Sequence, residues 1–272
     1  MNALRQSLTS PSALLGKAGR APWRRTAGFT LIELLVVLGI IGLLASITLP
    51  AISGMRKTNT MVSAGRQLVD DISLARARAI SERTVVHVIF IPSEIQNWQT
   101  SGSAREDKLQ ERLKSGEYTS YALYAERTVG DQPGRARGRY LTSWRFLPDG
   151  VFIATNKFVN NPASRIQLSA VDRPLEYVSL PLPTVDGIPQ EVPHLAFDPQ
   201  GRLVDKDHVP LLGTEVLPLA RGSIFYFRDP TANNALSIDV RESPRGNSIT
   251  NFHRVVVEGL TGRPRVETPQ FQ

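Results

Sequence analysis

The sequence predicts an α+β fold in which one long N-terminal helix packs against an antiparallel sheet. Three observations lead to this prediction. An almost unbroken apolar run reaches from Leu31 to Leu49, an amphipathic stretch follows Pro50, and the rest of the chain consists of short strand-like runs separated by turn signals. A helix followed by many short strands is typical of α+β proteins whose helix covers one face of an antiparallel sheet.

The apolar run is long enough to cross a bilayer. About 21 residues at 1.5 Å each span about 30 Å, the thickness of the hydrocarbon core. Glu33 lies near the start of this run. Because an unpaired carboxylate costs roughly 3 kcal/mol in that environment, we expect Glu33 to have a partner of opposite charge.

Residues 1–28 precede the run and carry only positive charges. The five basic residues are Arg5, Lys17, Arg20, Arg24 and Arg25. Such residues are expected to stay on the cytoplasmic side and direct the C-terminus outward. The whole chain has a net charge of +7, so removal of this segment leaves about +2. The basic character of the chain therefore does not by itself indicate a nucleic-acid partner.

Residues 28–50, GFTLIELLVVLGIIGLLASITLP, resemble the N-terminal segment of type IV pilins and type II secretion pseudopilins. The resemblance implies that prepilin peptidase cuts after Gly28 and that the new N-terminal residue, Phe29, is N-methylated. It further implies that the Glu33 carboxylate pairs with the terminal amine of a neighbouring subunit. The expected protein is a single-pass inner-membrane protein with a periplasmic C-terminal domain. After processing, it assembles with other pilins at an inner-membrane platform.

Three other interpretations of the apolar run fit less well. An ordinary secretory signal is cut after its apolar region at an A-x-A-like site, which Ala45-Ser46-Ile47 matches poorly. An uncleaved signal anchor needs no glutamate at position 33. A buried helix of a soluble domain is disfavoured by the length of the run and by the basic residues ahead of it.

The stretch after Pro50 predicts the second half of the same helix. Its apolar side consists of Gly65, Leu68, Val69, Ile72, Ala75, Ala79 and Ile80, and its polar side of Arg66, Asp70, Asp71, Arg78 and Glu82. We predict a helix over about 29–82, bent near Pro50 because proline removes a backbone donor. The expected organisation is a leader at 1–28, a transmembrane or filament-core helix at 29–50, an amphipathic half at 51–83 and a β-rich periplasmic domain at 84–272.

Alternating apolar residues predict the strands of this last domain. They are expected at 84–91, 118–126, 140–146, 151–154, 165–170, 175–180, 194–197, 223–228, 235–241 and 252–258. Two segments, near 97–139 and 171–193, are interpreted as insertions. Within the first, residues 104–114 predict a short charged helix and residues 134–139 a basic loop. Both are expected to be solvated surface, and a partner-binding loop is the alternative.

Later segments of the chain resemble one particular family of these pilin-like proteins. Residues 74–80 running into 85–88, the turn at 197–202 and the ending at 255–265 resemble, in this order, parts of the GspH/FimT family of minor pseudopilins. Residues 147–151 and 251–265 are also similar to the longer prepilin-like proteins called Verru_Chthon cassette protein D. The chain differs from the H-type minor pseudopilins in size, because its globular part is nearly twice their usual length.

The sequence offers little support for catalysis or for a cofactor. The four histidines, His87, His194, His208 and His253, are scattered and match no catalytic or phosphate-binding motif. Residues 205–208 supply carboxylates but lack the spacing of a calcium loop. With no cysteine, the chain needs no disulfide. We therefore expect a structural subunit without enzymatic activity, bound metal or cofactor.

The alternative function rests on residues 262–265. This G-R-P-R element resembles the G-R-x-R element of FimT-like competence pilins, which is associated with DNA binding during uptake. The resemblance makes Arg263 and Arg265 candidate DNA-binding residues, with Arg254 as a third cation. Against this, Glu258 and Glu267 flank the element. The simpler interpretation is a turn between the last two strands. We favour a minor pseudopilin of a secretion pseudopilus or pilus-like filament over a FimT-like DNA-binding pilin.

Overall fold

The computed structural model describes residues 29–100, 102–132, 137–159, 170, 173–230, 235–250 and 253–268, without the side chains at 47–59, 229, 235–236 and 250. The leader at 1–28, including Gly28, lies outside these residues, as do most of the strand predicted at 165–170 and part of the basic loop at 134–139. The chain divides into two units between Ala51 and Ile52.

The described residues form three α-helices and twelve strands. The helices are α1 (Leu31–Glu82), α2 (Ala104–Lys114) and α3 (Asn247–Thr250), and two 3₁₀ turns lie at Ser93–Asn97 and Thr155–Phe158. The strands are β1 (Val86–Phe90), β2 (Ser120–Ala125), β3 (Arg139–Tyr140), β4 (Arg145–Phe146), β5 (Val151–Ile153), β6 (Glu176–Leu182), β7 (Ile188–Phe197), β8 (Leu203–Val204), β9 (Thr214–Asp229), β10 (Ala235–Glu242), β11 (His253–Glu258) and β12 (Pro264–Glu267).

The strands build two antiparallel sheets rather than one. The first has the order β3-β2-β1-β7-β6, with β4 also paired to β2 and β8 to β7. The second has the order β10-β9-β11-β12, with β5 also paired to β9. Every strand pair is antiparallel. The α+β class with antiparallel sheets is thus confirmed.

The second half of α1 joins both sheets in one apolar core. Its buried side is formed by Met61, Ala64, Leu68, Ile72, Ala75 and Ala79. These residues pack in one cluster with Val88 and Phe90 of the first sheet and with Leu217 and Val255 of the second. Each fully buried leucine or isoleucine in such a core contributes about 1.5–3 kcal/mol. The amphipathic pattern therefore predicted the buried side of α1 correctly, except that Ile80 is 41% exposed.

The opposite face of the first sheet is also covered. Ile89 and Ile91 point into a second apolar cluster with Leu113 of α2 and with Leu180 and Val192 of the β6–β7 hairpin. Consequently all five residues of β1 are buried. The short charged helix predicted at 104–114 is confirmed, and it lies over this face through Leu113 and Gln110.

Several predicted strands differ from the observed ones. The single strand expected at 140–146 is two short strands, because β3 and β4 pair with opposite ends of β2 while Leu141 and Thr142 bridge between them. Strand β7 begins six residues earlier than expected, at Ile188, despite Pro189 and Pro193. Both prolines lie where β7 pairs only with β6, since β1 pairs with residues 194–197, so one side of the strand needs no donor.

The prediction that Asp71 belongs to the solvated polar side of α1 is wrong. Its carboxylate is buried, with 3% of the residue exposed. The Tyr121 hydroxyl donates a 2.6 Å hydrogen bond to it, and the Arg145 guanidinium forms an ion pair with it. Partners on β2 and β4 thus make the burial of this charge tolerable.

Candidate functional site

The first turn of α1 contains the predicted assembly residue, Glu33. Thr30 precedes the helix, and its Oγ1 accepts a 3.2 Å hydrogen bond from the backbone N–H of Glu33. A threonine at this position followed three residues later by glutamate is the capping-box pattern. The Glu33 carboxylate also lies at the positive end of the helix dipole. Sequence reasoning missed Thr30, although the T-x-x-E spacing was a sufficient signal.

The same end of α1 exposes apolar side chains on all sides. They are Phe29, Leu31, Ile32, Leu34, Leu35, Val36, Val37, Leu38, Ile40, Ile41, Leu43 and Leu44, with exposed fractions between 42% and 81%. A helix that is apolar all round is stable only when lipid or protein covers it. Within the described residues, no helix reaches the length and apolar character that crossing a membrane requires. The transmembrane assignment of 29–50 stays a prediction.

A comparison with protein-family models identifies this segment. Residues 23–49 match the model described as the prokaryotic N-terminal methylation motif. The chain carries a prepilin-type methylation motif. The motif implies a type IV pilin-like substrate of prepilin peptidase that assembles with other pilins. No curated protein and no solved structure matches the chain.

Cleavage after Gly28 and methylation of Phe29 stay predictions. Gly28 lies outside the described residues, and Phe29, the residue before the Thr30 cap, is 77% exposed. Glu33 is exposed four residues after Phe29. Nothing in the described part of the chain tests its pairing with a neighbouring amine.

The G-R-P-R element spans the end of the tight turn between β11 and β12, with Gly262 and Arg263 in the turn, and the first two residues of β12, Pro264 and Arg265. Gly262 has φ +60°, and a Cβ there would lie 2.1 Å from the carbonyl oxygen of Gly201. Glycine is therefore required both for the backbone conformation and for the close approach of the two turns. Arg76 of α1 joins them further, because its Nε donates to the carbonyl oxygens of Gly201 and Thr261.

The two candidate DNA-binding arginines are in different environments. Arg263 is exposed, and its backbone carbonyl accepts a hydrogen bond from the N–H of Glu258. Arg265 lies on β12 between two carboxylates: it forms an ion pair with Glu258 and a second one, at 2.8 Å, with Glu267. The hydrogen bonds that Arg265 donates to the Glu258 and Glu267 carboxylates raise its pKa. The acidic residues that flank the element in sequence therefore neutralise one of its two cations.

The carboxylates at 205–208 stabilise a turn. Asp205 Oδ1 accepts hydrogen bonds from the N–H groups of Asp207 and Val209, at 3.0 and 2.8 Å. His208 takes the left-handed conformation within this turn, with φ +63°. Over the residues that the structure describes, no group of three or more histidine, aspartate or glutamate side chains is arranged to hold a metal ion.

Three of the four histidines, scattered in sequence, lie close together. His87 Nε2 and His208 Nε2 each lie 2.9 Å from Glu126 Oε1, and the rings of His87 and His194 are 5.1 Å apart. Burial raises the pKa of Glu126, but the hydrogen bonds and charges of His87 and His208 outweigh it and hold that pKa below its ordinary value. The cluster links β1 to the turn after β8.

Proposed function

We propose that the chain is a minor pseudopilin, a structural subunit of a type II secretion pseudopilus or a type IV pilus-like filament that takes part in protein secretion. The methylation motif at 23–49 carries this proposal. The exposed apolar side chains that follow Phe29 on the helix support it, because such a surface needs lipid before assembly and neighbouring helices afterwards. The proposed role is assembly, without enzymatic activity or cofactor.

The proposed topology follows from the charges at the two ends of the motif. The basic leader stays in the cytoplasm, residues 29–50 cross the inner membrane once, and the domain that follows lies in the periplasm. Once the leader is removed, the amine of Phe29 is a positive charge at the membrane surface. The Glu33 carboxylate of the adjacent subunit neutralises it, which offsets the cost of burying either charge alone and sets the register between subunits.

The globular domain supports a pilin-like assignment of the GspH/FimT type. Helix α1 ends at Glu82, Arg83 takes a left-handed conformation with φ +52°, and β1 starts at Val86 in the centre of the first sheet. This is the helix-to-strand junction that the resemblance places at 74–88. A long helix followed at once by a central antiparallel strand is the arrangement expected for a type IV pilin-like fold.

The geometry of the last turn weighs against the DNA-uptake alternative. A phosphate-binding element needs cations whose charge is free, but the ion pairs of Arg265 with Glu258 and Glu267 compete with any phosphate. Gly262 is already explained by its contact with Gly201. Of the two arginines of the element, Arg265 is therefore occupied and Arg263 is left for a nucleic acid, and one cation provides little affinity.

Processing tests the proposed function most directly. We expect co-expression with a prepilin peptidase to remove residues 1–28 and leave N-methylated Phe29, as measured by intact mass. Gly28→Leu should block the cut, because the cleavage site requires a small residue there. Gly39→Leu is the matched control, since a side chain at Gly39 meets nothing within 4 Å. A retained leader in the wild-type chain, or a cut after Ala45 or Ala51, would exclude the pilin assignment.

A further inference from the structure

A groove of about 1060 Å³ lies on the covered side of the first sheet. It is bounded by α2, by the segment from β3 to β4 and by the β6–β7 turn. The two segments interpreted as insertions, near 97–139 and 171–193, thus supply most of its walls. Neither the methylation motif nor the assembly role explains this feature.

Side-chain hydrogen bonds hold the three walls together. Thr184 Oγ1 donates a 2.7 Å hydrogen bond to Glu106 Oε1, which joins the β6–β7 turn to α2. Trp144 Nε1 donates to the carbonyl oxygen of Pro183 at 3.1 Å, and Tyr140 Oη donates to that of Pro181 at 2.9 Å. Because these contacts hold the walls in place before a ligand binds, binding costs little conformational entropy of the protein.

One wall of the groove carries three cations. Arg105, Lys108 and Arg112 line the groove from one side of α2, at the three- and four-residue spacing that places side chains on a common face. All three are exposed and none forms an ion pair within the described part of the chain, and the Arg112 guanidinium lies 5.0 Å from the centre of the Phe146 ring. Asp107 and Glu111, the exposed acidic residues of the helix, do not line the groove.

The facing wall is aromatic. The rings of Tyr140 and Trp144 are 5.7 Å apart, and both residues are partly exposed. With Leu109 of α2 they form the apolar part of the groove lining. A ligand that fits both walls has negative groups on one side and apolar groups on the other.

An extended acidic peptide has this chemistry. Its alternate side chains point to opposite sides, so carboxylates two residues apart are separated by about 7 Å. Arg105, Lys108 and Arg112 are separated along the helix axis by about 4.5 and 6 Å, a comparable spacing. Asp186, in the β6–β7 turn, also lines the groove, so we expect the negative groups of the ligand on the α2 side and away from this turn.

We propose that this groove binds an extended acidic segment of a partner protein, with its carboxylates on the α2 cations and its apolar side chains against Tyr140 and Trp144. The groove is an interaction surface of the globular domain, separate from the helix that carries the methylation motif. Recognition therefore does not depend on cleavage at Gly28.

Binding to the purified full-length chain in non-ionic detergent tests the proposal. The probe is a fluorescein-labelled nine-residue peptide that alternates glutamate and valine, measured by anisotropy at several salt concentrations. We expect binding that weakens as salt rises. Lys108→Glu should weaken it by roughly fivefold to tenfold, since it replaces an exposed attraction with a repulsion. Arg127→Glu, the same charge change at an exposed residue outside the groove, should weaken it by less than about twofold.

Three results would overturn the proposal. The first is no binding of the acidic peptide at about millimolar concentration in low salt. The second is an equal effect of Lys108→Glu and Arg127→Glu, which would show attraction by overall charge alone. The third is tighter, Lys108-dependent binding of oligodeoxythymidylate or of oligogalacturonate, which would assign the groove to a nucleic acid or to an acidic glycan.

Discussion

The hydroxyl of Tyr121 on β2 donates a 2.6 Å hydrogen bond to the buried carboxylate of Asp71 on α1. The same hydroxyl accepts a 2.9 Å hydrogen bond from Gln67, one turn earlier on the helix. Burial and the adjacent carboxylate raise the pKa of Tyr121, so the hydroxyl keeps its proton and remains a donor. This contact fixes the position of α1 against β2 of the first sheet.

Tyr121→Phe should therefore destabilise the domain. The substitution removes the donor and leaves the Asp71 carboxylate buried with Arg145 as its remaining partner, at a cost of about 1–3 kcal/mol. Chemical denaturation of the full-length chain measures it. Tyr124→Phe on the same strand is the control, because the described residues offer its hydroxyl no hydrogen-bond partner. Equal losses in both variants would contradict a specific role for the Asp71 contact.

Glu33→Ala should reduce assembly but leave the globular domain stable. The expected reason is loss of the partner for the neighbouring terminal amine, whereas insertion should be as efficient or better because a costly charge is gone. Crosslinking between subunits in membranes measures assembly.

Thr30→Ala separates this role from helix capping. It removes the side chain that accepts the Glu33 N–H but keeps the carboxylate. Capping loss typically costs about 1 kcal/mol. If Thr30→Ala lowers crosslinking as much as Glu33→Ala does, Glu33 acts by stabilising the helix end and not by pairing with an amine.

Glu117 should make the domain less stable at alkaline pH. The residue is fully buried and its Oε1 accepts a hydrogen bond from Gln96, while its Oε2 has no hydrogen-bond partner among the described residues. Burial, with a smaller contribution from Glu94, raises its pKa to about 8. Between the unfolded value near 4.5 and about 8, the folded chain holds a proton that the unfolded chain lacks, so rising pH lowers stability. We expect a loss of roughly 2 kcal/mol between pH 6 and pH 8.

Glu117→Gln tests this dependence because glutamine cannot ionise. Denaturation at pH 6, 7 and 8 should show a smaller decline in the free energy of unfolding for the variant than for the wild-type chain. Glu111→Gln, at an exposed position on α2, should keep the wild-type slope. An unchanged slope in Glu117→Gln would mean that the buried carboxyl does not titrate in this range.

We expect the wild-type chain to show no salt-dependent DNA binding. The double variant, Arg263→Ala with Arg265→Ala, should therefore behave like the wild-type chain. Electrophoretic mobility of duplex DNA with the full-length chain in low salt measures this. Loss of the Arg265 ion pairs, which are exposed, should cost at most about 1 kcal/mol. A shift that disappears in the double variant at an unchanged melting temperature would favour the DNA-uptake function.

Elements with a strong local signal were predictable. Helix α2 matches its predicted bounds because charged helix formers follow Ser103, and β10 was recognised from its alternating pattern. The short strands β8 and β12 were not predicted. A strand of two or four residues is too short to show an alternating pattern, and it forms only because a neighbouring strand supplies its hydrogen bonds. Strand β9 was expected only at 223–228, because Pro218 and Gly222 resemble turn residues, yet it runs from Thr214 to Asp229.

The sequence by itself determined the methylation motif, the apolar helix surface and the α+β class, because each depends on the chemistry of neighbouring residues. The tertiary structure decided which charged groups are free. The sequence pattern predicts Asp71 as a solvated helix residue. In the fold, Tyr121, fifty positions away, donates a hydrogen bond to its buried carboxylate. The cations of α2 became a candidate binding wall only when the fold placed Tyr140 and Trp144 in the same groove. The free energy of a charge depends on its surroundings, and folding assembles those surroundings from distant parts of the chain.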